Sequence, residues 1–197
     1  MIDRGIYFDH VRGPLFDGAL SQIQVDGQCV LLGLWDYQAT GTPMSDIRWL
    51  SYLLATVYHE CAQKMWPVTE AGSAEYLQGK EYYPYIGRGF VQLTWEDNYR
   101  SASAALGLID ERDMVEHPEV ALDSLIAARV LFRGCAEGWF TGRKLGQYFN
   151  DETDDPVNAR QIINGNDQDD LIAGYHGKFL AAVTAASGTE GNADAQA

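Results

Sequence analysis

Between residues 47 and 61 the apolar positions fall at steps of three and four. Ile47, Leu50, Leu53, Leu54, Val57 and Cys61 form one stripe along a helix. Ser45 or Asp46, just ahead of it, is a residue type that caps a helix N-terminus. A looser helical spacing follows Ser21, through Ile23, Val30, Leu31 and Leu34, and predicts a helix to about Trp35. Asn98 to Leu106 reads as helical and closes at Gly107. Ala121 to Cys135 reads as helical through Leu122, Leu125, Ile126, Val130 and Leu131. A short helix is expected at Leu145, Tyr148 and Phe149, and a last helix runs from Asp169 to Val183.

The remaining stretches carry turn or loop signals. Residues 1–20 are mixed, with breaks at Gly13-Pro14 and Asp17-Gly18, and residues 40–44 read as a loop. Residues 65–86 are aromatic, contain Gly and show no period. They predict a long loop or a short hairpin, a kind of segment that often lines active sites. Phe90 to Thr94 fits a short strand or the lead-in to a helix. The fold class is mainly α, with room for one small β-hairpin. No repeat or second domain is visible, so one domain over 1–185 and a disordered polar tail over 186–197 are expected.

Charge narrows the function classes. Asp and Glu number 28 against 14 Lys and Arg, a net charge of −14, which speaks against nucleic acid held on a basic surface. The three cysteines, Cys29, Cys61 and Cys135, form no CxxC pair and read as small buried hydrophobes in a reducing compartment. Residues 1–10 carry no apolar signal core, and no apolar run approaches the roughly 18 residues of a membrane span. Synthesis in the cytoplasm without a signal peptide, no membrane insertion and a monomer are the expectations. His10, His117 and His176 show no metal spacing, and Asp151 to Asp155 lacks the Gly and final Glu of a calcium loop. Gly87-Arg88-Gly89 lacks the Lys-Ser/Thr of a phosphate loop. Neither metal nor cofactor is expected.

One carboxyl group has a distinctive setting. Glu60 ends the strongest apolar helix, among Tyr58, Cys61, Met65 and Trp66. Such a place suits a carboxylic acid kept protonated in an apolar pocket. It equally suits a solvated Glu on the last turn of a helix.

Longer strings point further. Tyr58-His59-Glu60-Cys61-Ala62, then Pro67-Val68-Thr69-Glu70, then Tyr85-Ile86-Gly87-Arg88-Gly89-Phe90-Val91-Gln92-Leu93-Thr94-Trp95-Glu96-Asp97-Asn98-Tyr99 resemble glycoside hydrolase family 19. Arg160 to Gly165 is similar to a late Ile-Asn-Gly-Gly element of that family, with Asn166 in place of the second Gly. The likeness spans roughly residues 21–183 and is greatest to the phage and prophage branch. It implies a lysozyme-like α-helical fold, with the hairpin beside an active-site cleft, and inverting general acid/base cleavage of β-1,4-linked amino sugars. Inversion implies two carboxyl groups about 6.5–9.5 Å apart, with room for a water between them.

By position, the resemblance makes Glu60 the general acid and Thr94 the holder of the nucleophilic water. It makes Gln92, Asn98 and Asn164 substrate-binding residues. Arg88 is placed in the substrate site too, orienting Glu60 or a loop carboxylate, or in a structural salt bridge. Glu70 is the foremost base, with Glu75 and Glu81 as alternatives in the same loop. Cys61 replaces the usual Thr beside the acid, which implies a weak sensitivity to thiol reagents. The implied function is a peptidoglycan hydrolase of the endolysin type, acting on the cell wall after release by a holin or by lysis. A chitinase, a non-catalytic glycan-binding protein on the same fold and a toxin delivered between bacteria are the alternatives.

Overall fold

Ile47–Glu60 forms a helix (α3) buried from Trp49 through Tyr58, on all sides rather than along one stripe. The computed structural model describes residues 1–38 and 43–188. Around α3 stand α1 (Arg4–Phe16), α2 (Gln22–Gln38), α4 (Ala74–Gln78), α5 (Glu96–Leu106), α6 (Ser124–Glu137) and α7 (Asp169–Ser187). A two-stranded antiparallel ribbon, β1 (Val68–Thr69) and β2 (Arg88–Gly89), pairs Val68 with Gly89 and Thr69 with Arg88. The class is mainly α with one small hairpin, as the pattern predicts. The helix α7 packs on α3 and on α1, and α2 packs on α6, so α3 lies inside the bundle.

Local chemistry explains where α3 begins and why its polar residues tolerate burial. Asp46 caps it by accepting from the Arg48 N–H at 2.9 Å. Buried Ser51 donates to the Ile47 carbonyl at 2.7 Å, and the Trp49 indole donates to the Phe149 carbonyl at 3.0 Å. Leu50, Leu53, Leu54 and Val57 are fully buried. Each such side chain stabilises the fold by about 1.5–3 kcal/mol of transfer free energy.

Several boundaries differ from the pattern. Residues 4–16 are a helix despite Gly13-Pro14, because Tyr7, Val11, Leu15 and Phe16 form a buried face and Asp3 caps the start. Asp17-Gly18 does turn the chain: Asp17 is left-handed and the Gly18 N–H returns to the Arg12 carbonyl at 2.9 Å. The strand falls at Arg88–Gly89, not at Phe90–Thr94. Paired bonds between Arg88 and Leu93 close that next segment into a turn, and α5 then starts at Glu96. Residues 118–122 form a 3₁₀ turn, so α6 starts at Ser124, where Asp123 accepts from two N–H groups. The short helix at Leu145 is likewise a 3₁₀ turn over Leu145–Gln147.

At the C-terminal end, α7 runs past residue 185 to Ser187. Ala186 is buried and its carbonyl accepts from the Asp3 N–H at 3.0 Å. Most of the expected tail, 189–197, and most of the expected loop, 40–42, lie outside the described residues. Among the described residues no helix is long and apolar enough to cross a membrane.

The segment that leads from α3 to the hairpin is fixed against α2 by close contacts. Gly27 in α2 leaves no room for a side chain, since a Cβ there would stand 1.6 Å from the Met65 carbonyl oxygen. Gln24 donates to the Gln63 carbonyl at 3.1 Å. The segment that follows Glu60 is thus pressed directly onto α2.

Candidate active site

Glu60 sits on the last turn of α3, with its side chain 17% exposed. It is not in an apolar pocket. Its Oε1 accepts from the Arg160 guanidinium at 2.6 Å, and Arg160 is only 2% exposed. Arg160 stands in the 3₁₀ turn Asn158–Ile162 and donates from Nε to the Asp167 carbonyl at 2.8 Å. One guanidinium therefore ties the carboxylate of α3 to the turn that precedes α7. In the sequence Arg160 is only the start of a string; its pairing with Glu60 spans 100 residues, beyond the reach of any local pattern.

Glu70 follows β1. Its backbone N–H donates to the Gly87 carbonyl at 2.7 Å. Its carboxylate accepts twice, from the Gly87 N–H at 3.1 Å and from the Tyr82 hydroxyl at 2.9 Å. The other loop carboxylates are held differently. Glu75 lies in the first turn of α4, exposed, with its pKa lowered by backbone and Ser73 hydrogen bonds, and Glu81 is exposed.

Gly87 is the point where three of the expected residues meet. A Cβ built there would lie 2.9 Å from Gln92 Oε1, 3.3 Å from Glu70 Cβ and 3.4 Å from Thr94 Oγ1. Glycine at 87 lets these three side chains converge. The Thr94 hydroxyl donates to the Gln92 carbonyl at 2.8 Å. Gln92 Nε2 donates to the carbonyls of Val68 and Gly89, across both strands, which leaves its Oε1 toward Gly87. Asn98 donates to the Thr94 carbonyl at 2.8 Å. A recess of about 160 Å³ is lined by Gln92, Thr94 and Asn98 together with Phe140 and Ile163. Ile163 brings the late string to the same recess. Asn164 beside it is exposed, and its side chain is free of hydrogen bonds among the described residues.

Arg88 is directed elsewhere. It donates to the Pro84 carbonyl at 2.9 Å and the Tyr99 hydroxyl at 3.1 Å. It forms no salt bridge among the described residues, with Glu60 or with a loop carboxylate, so the expectation of either is corrected. Its guanidinium instead holds the 84–99 turn together.

Backbone strain gathers on both sides of the site. Ala62, Gln63 and Met65, just past Glu60, and Gln92 and Trp95, flanking Thr94, all have positive φ between 47° and 75°. Such conformations cost about 1–3 kcal/mol each and persist only where surrounding contacts hold them. Trp95 is 47% exposed, and its ring meets the edge of Tyr82 at 5.1 Å.

The cysteines divide. Cys61 is buried behind Glu60, with its thiol 3.8 Å from the carbonyls of Gly89 and Phe90, and burial pushes its pKa up to about 12. It stays protonated and inert. Cys135 is buried too, whereas Cys29 is exposed on α2, against the expectation that all three are buried.

No family model matches this sequence, and no curated protein matches it. Solved structures do match in fold. A bacterial family 19 chitinase superposes with a TM-score of 0.57 at 19% identity, covering 92% of this chain and 94% of its own. Chitinase C from Streptomyces griseus gives 0.59 at 17% identity, over 93% of this chain and 76% of its own. A family 19, class IV chitinase from Zea mays gives 0.56 at 16%, over 91% and 94%. The chain therefore has the lysozyme-like, mainly α fold of the family 19 chitinases.

Proposed function

We propose that the chain is a glycoside hydrolase that cleaves β-1,4 bonds between amino sugars by inversion, with peptidoglycan as its polymer. The observation that carries this reading is the convergence of Glu70, Thr94 and Gln92 at Gly87, beside a recess also lined by Ile163 from the turn whose buried Arg160 holds the helix-end acid Glu60. Glu60 protonates the leaving glycosidic oxygen, and Glu70 takes a proton from the attacking water. The Thr94 proton is committed to the Gln92 carbonyl, so toward water its oxygen acts as an acceptor. A water that donates one hydrogen to Thr94 and the other to Glu70 keeps a lone pair for attack at the anomeric carbon. Two donors on the Glu70 carboxylate fix its orientation without filling its four acceptor positions. In this reading Gln92 Oε1, Asn98 and Asn164 meet the acetamido and hydroxyl groups of the sugar. Exposed Trp95 offers an aromatic face for stacking. Glu75 and Glu81 are left in solvent.

The peptidoglycan reading is supported by the Gly87-to-Tyr99 string, which resembles the phage and prophage branch. Action on the cell wall after release from the cytoplasm goes with it. The second reading is a chitinase, favoured by the solved structures that share the fold. Product analysis separates the two: purified peptidoglycan and chitin oligosaccharides are digested in parallel with the wild-type protein and with Glu60→Gln. Soluble muropeptides with new reducing ends, lost in the variant, are expected. Cleavage of chitin alone would establish the second reading, and no new reducing ends from either polymer would refute both.

A further inference from the structure

The recess beside Thr94 has two unlike sides. One is polar and consists of Gln92, Thr94 and Asn98. Gln92 Nε2, the Thr94 hydroxyl and one hydrogen of the Asn98 amide are committed to backbone carbonyls. Gln92 Oε1 and Asn98 Oδ1 accept no hydrogen bond among the described residues. The polar side thus has acceptors to spare and suits a group that brings an N–H or O–H. The other side is apolar and is built by two separate turns. Phe140 follows the end of α6, and Ile163 follows the 3₁₀ turn Asn158–Ile162. Thr141 ties the two turns together: its hydroxyl donates to the Gln161 carbonyl at 2.7 Å, with the Ile162 carbonyl at 3.2 Å.

Phe140 is held in place by a glycine. Gly134 lies in the interior of α6, where glycine is a poor helix former. A Cβ there would stand 2.3 Å from Cζ of the Phe140 ring and 2.6 Å from its Cε2, so the missing side chain is the seat of the ring. Just ahead of Phe140, the Trp139 N–H returns to the Gly134 carbonyl at 2.9 Å. The recess that this ring helps to close holds about 160 Å³. A group with an amide N–H at one end and a short apolar end at the other matches both of its sides. An N-acyl amino group is such a group, and it is carried by both sugars of a peptide-bearing glycan and by every sugar of chitin. We propose that Phe140, seated on Gly134, is a specificity-determining residue that closes the apolar side of the recess against the acyl methyl and admits an acetyl group but not a longer acyl chain. This rests on the reading of the recess as an amino-sugar site. A methylene too many in a closed apolar site corresponds to about tenfold or more in discrimination.

The test is a comparison of binding in the Glu60→Gln protein. The probes are oligosaccharides of equal length, one set of N-acylglucosamine only and one alternating with N-acylmuramic acid. Each set is made with acetyl, propionyl or butyryl on every amino group. The ratio of acetyl to butyryl affinity is read on whichever set binds more tightly. With Phe140 intact, the acetyl chain is expected to bind tighter than the butyryl chain by about tenfold or more. Phe140→Ala should bring the ratio to one or below with the fold unchanged by circular dichroism, and Phe140→Leu should give an intermediate ratio. Phe140→Leu is the deciding variant where Phe140→Ala fails to fold. A ratio unmoved in the folded variants overturns the proposal, as does a ratio near one, or no binding of any probe, with Phe140 intact. An equal loss for all three acyl groups also overturns it and would make Phe140 a prop for α6. Release of reducing ends from the native polymers by the wild-type protein is read separately. Hydrolysis without an acyl preference refutes this site alone, and no hydrolysis refutes the function proposed above.

Discussion

Arg160 and Glu60 are 100 residues apart in sequence and 2.6 Å apart in space. The guanidinium is almost wholly buried, and its Nε is spent on the Asp167 carbonyl, so it has one orientation available to it. A carboxyl group held through Oε1 in this way is fixed in rotamer before any substrate arrives, and it serves as the preorganised proton donor at a glycosidic oxygen when Oε2 carries the proton. The pair also joins the end of α3 to the turn before α7, so position and stability are carried by the same bond.

Replacing Arg160 by Met should therefore have two effects. It leaves Glu60 without its partner and the Asp167 carbonyl without its donor. Breaking a buried pair from one side costs about 3 kcal/mol, read as a lower urea midpoint with an unchanged slope. Turnover on the polymer should fall by about 100-fold, with a smaller change in KM, because the acid loses its fixed position. Full turnover in a folded Arg160→Met protein would mean that Glu60 needs no such support.

How much of this was legible in the sequence differs by element. The helix at 47–60 was plain, because its apolar spacing and its Asp46 cap agree. The first helix was hidden, because Gly13-Pro14 is a local signal to break and only the packing of Tyr7, Val11, Leu15 and Phe16 overrides it. Glu60, Glu70, Thr94, Gln92 and Asn98 could be singled out because they stand in recognisable strings. Their contacts could not be read. Arg88 looked like an ionic residue of the site and instead braces Pro84 and Tyr99. Tyr82 lies in a loop without period, so its bond to Glu70 had no signal in the spacing.

Gly87 supplies a test of the convergence itself. Its φ is not in the left-handed region, so substitution by Ala carries no backbone penalty and acts only through the added methyl group. That methyl would stand 2.9 Å from Gln92 Oε1 and close to Glu70 and Thr94. The Gln92 amide must shift, which loosens its Nε2 bonds to Val68 and Gly89 and takes its Oε1 from its place beside Glu70 and Thr94. Gly87→Ala is expected to remain folded by circular dichroism, with turnover reduced on the order of tenfold or more. An unimpaired variant would show that the groups around Gly87 do not act together.

His176 ties stability to pH. It is 3% exposed on α7, between the rings of Tyr52 and Phe149, and its Nδ1 has no partner. Asp46, Arg48 and Asp154 are the charged groups that act on it. Burial, the largest influence, lowers its pKa from an ordinary 6.5 to about 4. The unfolded chain therefore takes up the proton first as pH falls. The contribution of His176 to stability is complete above about pH 6.5 and declines by about 1.4 kcal/mol per pH unit below it, until the folded protein is protonated near pH 4. The total is roughly 3 kcal/mol. Carboxylates titrate in the same range, so the wild-type curve alone does not isolate this residue. His176→Phe keeps a ring against Tyr52 and Phe149 and removes the titrating nitrogen. Urea unfolding of both proteins from pH 7 to pH 4 should show the wild type losing roughly 3 kcal/mol more than the variant, the gap opening below pH 6.5. Parallel curves would mean that the imidazole is hydrated or already charged in the folded protein, and that its burial between the two rings is not what keeps it neutral.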